Sequence, residues 1–123
     1  RMLAGVALGA FVANAVVFHA NGAADLPTLL AASSAIAAGN ALEALLGAWA
    51  LQRWVGRGSP FDRLADVAKF FVVVPGACAA GALVGTATLL AAGIAPGAAG
   101  PTVALTWWTG DVAGMLVLAP LLM

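Results

Sequence analysis

The chain of 123 residues is strongly apolar, with 63% hydrophobic residues, 8% charged residues and a mean hydropathy of +1.05. Five basic and five acidic side chains are too few to coat a soluble domain of this size, so lipid must be the solvent for most of the surface. The formal net charge is zero, which argues against nucleic acid or an acidic substrate as a partner. The composition predicts an integral membrane protein whose main partner is the lipid bilayer.

Four apolar stretches predict an all-α, polytopic transmembrane bundle of about four spanning helices. A helix needs roughly 20 apolar residues to cross a bilayer, and we expect spans at about 2–18, 28–54, 60–92 and 102–122. The long runs of Ala, Leu, Val and Gly lack the alternation of a transmembrane β-barrel. Since lipid offers no hydrogen bonds to backbone N–H and C=O groups, these groups must bond to one another, and helices are the fold that remains. The whole chain, 1–123, forms one domain in this interpretation.

Several residues predict where these helices begin or bend. Asp25 is an N-cap candidate for the second helix. Ser59, Pro60 and Asp62 fit the N-cap, N1 and N3 positions of the third helix. Pro75 lies inside that helix and predicts a kink.

Basic residues mark one of the three links. Arg53, Arg57, Arg63 and Lys69 cluster around the link between the second and third spans, whereas the other two links contain no Lys or Arg. By the positive-inside rule the middle link is cytoplasmic, and both chain ends then lie on the cytoplasmic side. A first residue of Arg1 rather than Met also leads us to expect that the chain is an excerpt.

Two acidic residues lie near the centres of predicted spans, Glu43 in the second and Asp111 in the fourth. A charge at this depth costs at least about 2.5–3.5 kcal/mol, so such side chains normally face the bundle interior or a wet cavity. Asn14 in the first span and Asn40 in the second lie at similar depth. We therefore predict a single polar centre that is shared by three helices.

Helical spacing predicts the neighbours on each inward face, since residues three, four and seven apart lie on one side of a helix. The predicted faces are Ala7, Ala10, Asn14 and Val17 in the first span, Gly39, Asn40, Glu43 and Gly47 in the second, and Trp107, Asp111, Gly114 and Leu118 in the fourth. Trp107 and Trp108 are either interfacial anchors or pocket residues. Trp54, beside Arg53, is expected to be an interfacial anchor.

Two interpretations of the polar centre stay open. In the functional one it is a ligand site or a protonation-sensitive switch, and the candidates are Asn14, Asn40, Glu43, Trp107, Trp108 and Asp111. In the structural one it is a hydrogen-bonded clasp that fixes helix register. Two acids are more than register requires, and acids that face each other would share a proton.

Small residues recur at helical spacing in two spans. Gly5 and Gly9 do so in the first, and Ala77, Gly81 and Gly85 do so in the third. Such ladders let helix backbones approach closely in lipid. We expect them to pack within the chain rather than to form a dimer seam.

The chain offers little for catalysis or metal binding. It contains one cysteine, Cys78, and one histidine, His19. We expect Cys78 to be a small packing residue and His19 to be a polar residue at a helix end. No nucleophile–base pair or phosphate loop is visible, so we predict no enzymatic activity, no metal and no cofactor for this segment.

Four stretches resemble the first class of the bacterial membrane-associated sensor domains, the MASE family. They are Gly5–Asn14 (GVALGAFVAN), Gly39–Trp49 (GNALEALLGAW), Phe61–Phe71 (FDRLADVAKFF) and Trp107–Leu122 (WWTGDVAGMLVLAPLL). The second and fourth are the most specific, because each combines an intramembrane acid with Gly and Trp neighbours. By position, all six candidate residues and Pro120 match the family's pattern.

The resemblance implies a sensory input module in a bacterial inner membrane, followed in the same chain by a cytoplasmic output domain. That output would be a histidine kinase or a diguanylate cyclase. The chain would be the C-terminal part of such a sensor domain, with further helices upstream. The signal is an unidentified small molecule or protein, and a homodimer is one open arrangement. Two alternatives are a small proton-coupled transporter or channel, and a passive anchor that only locates an output enzyme.

Overall fold

The computed structural model describes residues 2–56 and 61–122, apart from the side chains of residues 119, 120 and 122. Within this part, the chain forms four α-helices and no strand. The helices are α1 (Met2–Ala20), α2 (Leu26–Trp54), α3 (Leu64–Ala91) and α4 (Gly100–Leu122), with a short 3₁₀ turn at Gly97–Ala99. The predicted all-α fold is confirmed.

Three of the helices have the length and hydropathy of membrane spans. They are α1, α2 and α3, with 19, 29 and 28 residues. Much of their surface is apolar and exposed, including Leu8, Trp49 and Leu83, each exposed by about two thirds. A soluble monomer rarely exposes apolar surface on this scale, so these helices identify a membrane protein.

The start of α2 agrees with the sequence. The side chain of Asp25 accepts a hydrogen bond from the backbone N–H of Thr28 at 3.4 Å, and Pro27 lies in the first turn. Proline is tolerated there because the first N–H groups of a helix have no partner within it.

The predicted start of α3 was wrong. Ser59 and Pro60 lie outside the described residues, and Asp62 lies in a bend before the helix. The N-cap is Arg63, with an extended backbone (φ −137°, ψ 141°). The ring of Phe61 packs edge-on against that of Phe70, with centroids 5.1 Å apart. Nine residues of continuous helix would rise about 13.5 Å, so this contact requires the chain to turn back before α3 begins.

Glycine closes two of the helices. Gly22 after α1 and Gly93 after α3 have φ values of 58° and 67°. In each case the next residue donates its N–H to the carbonyl five residues earlier, Ala23 to Phe18 and Ile94 to Leu89. This left-handed cap ends a helix sharply, which allows the following helix to return along its predecessor.

The main helix interfaces follow chain order, α1 on α2, α2 on α3 and α3 on α4. The interface of α2 and α3 uses small residues, as predicted for the ladder in the third span. A β-carbon on Gly39 would meet Val84 at 2.8 Å, and one on Gly47 would meet Ala77 at 3.6 Å. The ladder of α1 does not pack in this way, since β-carbons on Gly5 and Gly9 would meet nothing within 4 Å.

Two apolar clusters lie at opposite ends of the helices. The first is built on Phe18, Leu29, Ala32 and Ile36, and the second on Phe70, Val74 and Cys78. Trp107 packs against the first cluster and Trp108 against the second. The middle of the helices, between these clusters, carries the polar side chains.

Candidate functional site

A cavity of about 240 Å³ lies at mid-depth among the four helices. Its lining combines small or apolar residues with three polar side chains. The residues are Ala10 and Asn14 of α1, Ile36 and Asn40 of α2, Gly81 of α3, and Trp107 and Asp111 of α4. Residues of α1 and of α4 both line this space, so the cavity lies between these two helices.

The two asparagine side chains are tied to their own helices. The Asn14 amide nitrogen donates to the Ala10 carbonyl at 2.8 Å, and that of Asn40 donates to the Ile36 carbonyl at 3.0 Å. A carbonyl can accept only from the amino end of a carboxamide, so these bonds fix both amide orientations. They hold the side chains against their helices and leave the two amide oxygens free of these bonds.

Trp107 and Asp111 reach the cavity from α4, one helical turn apart, and both are half-buried. The six-membered ring of Trp107 lies directly on Gly85 of α3, in the space that a β-carbon on this glycine would occupy. The absence of a side chain at Gly85 therefore sets how closely α4 approaches α3. It also sets where the wall formed by Trp107 stands.

Glu43 lies between α2 and α3, and its side chain is only 4% exposed. Its carboxyl group rests on Gly81, where a β-carbon would collide with it. The Cys78 thiol and the Asp111 carboxyl group are both neighbours of this carboxyl group. The second carboxyl oxygen, Oε2, is buried without a hydrogen-bond partner. Gly81 thus forms a thin wall shared by Glu43 and the cavity.

Trp108 takes a different position from the other candidates. Its indole nitrogen donates a hydrogen bond to the Pro75 carbonyl at 2.8 Å, and its ring packs against the second apolar cluster. It does not line the polar cavity. The bond joins the middle of α4 to α3, which runs through Pro75 without a break.

The family model of MASE1 matches residues 1–123, the whole chain. The chain belongs to the MASE1 family. MASE1 is a family of membrane-associated sensor domains, so the resemblance carried by the four sequence stretches is confirmed. The MASE1 domain is a sensory domain and is not itself catalytic. No curated protein and no solved structure matches this chain.

The polar residues of the predicted inward faces of the MASE1 domain are buried or half-buried, whereas two apolar residues of these faces are exposed. Gly39, Glu43 and Gly47 are buried, and Asn14 and Asp111 are half-buried. Val17 and Leu118 are 51% and 56% exposed, so their predicted inward positions were wrong. α1 packs mainly on α2, and α4 mainly on α3, so each buries a narrower strip than a helix surrounded by neighbours.

Sequence reasoning missed three residues that shape the site. Cys78 was predicted to be a packing residue, and it is fully buried, but it also contacts the carboxyl group of Glu43. Gly81 and Gly85 were assigned only to a packing ladder, whereas they make room for Glu43 and Trp107. The available signal was the ladder itself, because small residues at the depth of a buried acid leave space for its side chain.

Among the residues that the structure describes, no basic side chain lines the cavity. Lys69 lies at the opposite end of α3 from the α3–α4 loop, where it donates to Asp66 at 2.6 Å and to the Trp54 carbonyl at 3.0 Å. Arg53, Arg63 and the sole histidine, His19, are exposed. No three His, Cys, Asp or Glu side chains of the described ranges come together as a metal site would require.

Proposed function

We propose that this MASE1 domain is the sensory input module of a bacterial signalling protein in the inner membrane, and that the polar cavity is where its signal acts. The domain crosses the membrane four times, with both ends in the cytoplasm. It passes the signal to a histidine kinase or a diguanylate cyclase in the same chain. The observation that carries the proposal is the meeting of Asn14, Asn40 and Asp111, from three helices, at one cavity.

The polar side chains of the site do not hydrogen-bond to one another across helices, which favours signalling over a purely structural clasp. A clasp would be expected to pair its polar groups with one another across helices. Here both asparagines bond to their own helices, and a carboxyl oxygen of Glu43 is buried without a partner. Leaving such a group unpaired costs about 1–3 kcal/mol, which a rearrangement of the helices that gives the oxygen a partner would reduce.

α4 is suited to carry the response. It contributes Trp107 and Asp111 to the cavity. The residue after Trp107, Trp108, donates a hydrogen bond to the Pro75 carbonyl of α3. A ligand shifts an equilibrium only by the difference in its affinity for the two arrangements. Occupation of the cavity would therefore favour one position of α4 relative to α3, and α4 leads the chain towards the output domain.

Membership of MASE1 weakens the transporter alternative, because the family is one of sensor domains. A passive anchor differs from a sensor in that its cavity residues would not affect output. Either a sensor or a passive anchor could form a homodimer.

The test is the output of the full-length protein, measured as autophosphorylation or as cyclic dinucleotide synthesis. Glu43→Gln and Asp111→Asn keep the side-chain shapes, and we expect each to change the basal or stimulated output severalfold. Asp62→Asn is the matched control, since Asp62 is exposed and lies outside the cavity. Unchanged output in both cavity variants, at equal membrane levels, would mean that the helices serve only as an anchor.

A further inference from the structure

We infer that the cavity binds a small ammonium-type cation, a ligand that carries positive charge and several N–H donors. The inference rests on the proposed sensory role and names the chemistry of the ligand. The cavity presents the Asp111 carboxyl group and the Asn14 and Asn40 amides, and the Glu43 carboxyl group lies behind Gly81.

The charges around the cavity are one-sided. Two carboxyl groups lie at the cavity, that of Asp111 in its lining and that of Glu43 behind Gly81. The basic side chains within the described ranges are elsewhere, and the single ion pair found there is Lys69 with Asp66. An acid at membrane depth normally pairs with a positive group or lines a wet cavity. A cationic ligand would supply the missing positive charge.

The hydrogen-bonding groups also fit a donor-rich ligand. The amino group of each asparagine uses one of its two N–H donors on the carbonyl of Ala10 or Ile36, and the amide oxygen of each can accept a hydrogen bond from a ligand. The Glu43 carboxyl group lies behind Gly81 and outside the lining, so it adds negative charge near the site rather than a direct contact. An ammonium group has three donors and no acceptor, which matches the Asp111 carboxyl group and the two amide oxygens of the lining.

Trp107 and the size of the cavity narrow the ligand further. Aromatic rings, and indole most strongly, attract cations to their faces, and Trp107 forms one wall. The cavity volume of about 240 Å³ is large enough for a small cation together with several water molecules. This size accommodates ammonium, methylammonium, guanidinium or ethanolamine with a few waters.

The test is direct binding to the full-length protein in nanodiscs. Binding is measured as a shift in the midpoint temperature of thermal unfolding. The probes are the chloride salts of ammonium, methylammonium, guanidinium and ethanolamine, in one sodium chloride buffer. Ethylene glycol and glycolate are the neutral and anionic counterparts of ethanolamine. We expect a saturable rise of the midpoint with at least one cation and none with the two counterparts.

Variants assign the effect to the cavity. Asp111→Asn should weaken the apparent affinity at least about tenfold, the loss expected for one hydrogen bond to a charged group. Asn14→Leu should also weaken the apparent affinity, because Asn14 lines the cavity from α1 rather than from α4. Asp62→Asn, outside the cavity, should leave it unchanged. A response of equal size in wild type and Asp111→Asn would overturn the inference, and so would no saturable response to any cation.

The outcomes separate this inference from the proposed function. If Glu43→Gln and Asp111→Asn change output but no cation binds, the sensory role stands and the ligand class is wrong. If a cation binds in an Asp111-dependent manner but output ignores both variants, the ligand class stands and the sensory role fails.

Discussion

The carboxyl group of Glu43 occupies the space that a β-carbon on Gly81 would fill. α2 and α3 therefore pack with an acid on one helix and a glycine opposite it on the other. The same glycine lines the polar cavity. Position 81 consequently controls both the packing of the two helices and the position of the buried carboxyl group.

A methyl group at this position should destabilise the domain. Gly81→Ala would force the Glu43 carboxyl group aside, and overpacking of this kind costs about 1–3 kcal/mol. Gly76→Ala is the control on the same helix, because a β-carbon there meets nothing within 4 Å. Alanine is favoured over glycine in a helix by roughly 1 kcal/mol, so the control should be neutral or stabilising. Denaturant unfolding in detergent measures both, and equal losses would contradict the packing argument.

A second glycine should be coupled to one tryptophan. Gly85→Ala would drive a methyl group into the ring of Trp107, so we expect a loss of about 1–3 kcal/mol. The loss should shrink when Trp107 is first replaced by Leu, because the three atoms nearest a β-carbon at position 85 all belong to that ring. A double-mutant cycle should give a coupling energy of about 0.5–3 kcal/mol. Additive losses would show that another neighbour resists the methyl group.

These glycines show how far the sequence leads and where it stops. Composition predicts the helices, and the depth of Glu43 and Asp111 predicts that both face inwards. The spacing of Ala77, Gly81 and Gly85 predicts a packed face, but it does not say which side chain fills the space. That depends on the rotation of α2 and α4 against α3, which only the packed structure supplies.

The ladder in α1 illustrates the opposite outcome. Gly5 and Gly9 have the same four-residue spacing as Gly81 and Gly85, yet no atom approaches them. A pattern of small residues indicates that a backbone can be approached closely, and it does not name the neighbour. The start of α3 has a similar origin, because the contact of Phe61 with Phe70 overrides the local capping pattern.

The indole of Trp108 should contribute through its hydrogen bond as well as its bulk. Trp108→Phe keeps an aromatic ring but removes the donor to the Pro75 carbonyl. We expect a loss of about 0.5–1.5 kcal/mol for the bond, plus a small term for the lost volume. Trp49→Phe is the matched control, because Trp49 is 66% exposed and exposed substitutions usually stay within about 0.5 kcal/mol. Unfolding in the same detergent compares them, and equal effects would remove the bond from the account.

Lys69 should join the last turn of α2 to the first turns of α3 by a weak, salt-sensitive contact. Its ammonium group donates to the Trp54 carbonyl and to Asp66, and a cation near a helix C-terminus also interacts favourably with the helix dipole. The Lys69 side chain is 40% exposed, so solvent screening limits the loss in Lys69→Met to at most about 1 kcal/mol. The loss should fall further at high salt, because exposed charges are screened. Arg53→Gln, an exposed basic residue at the same end, is the control. A salt-independent loss in Lys69→Met would mean that packing of its aliphatic stem, rather than its charge, holds the two helix ends together.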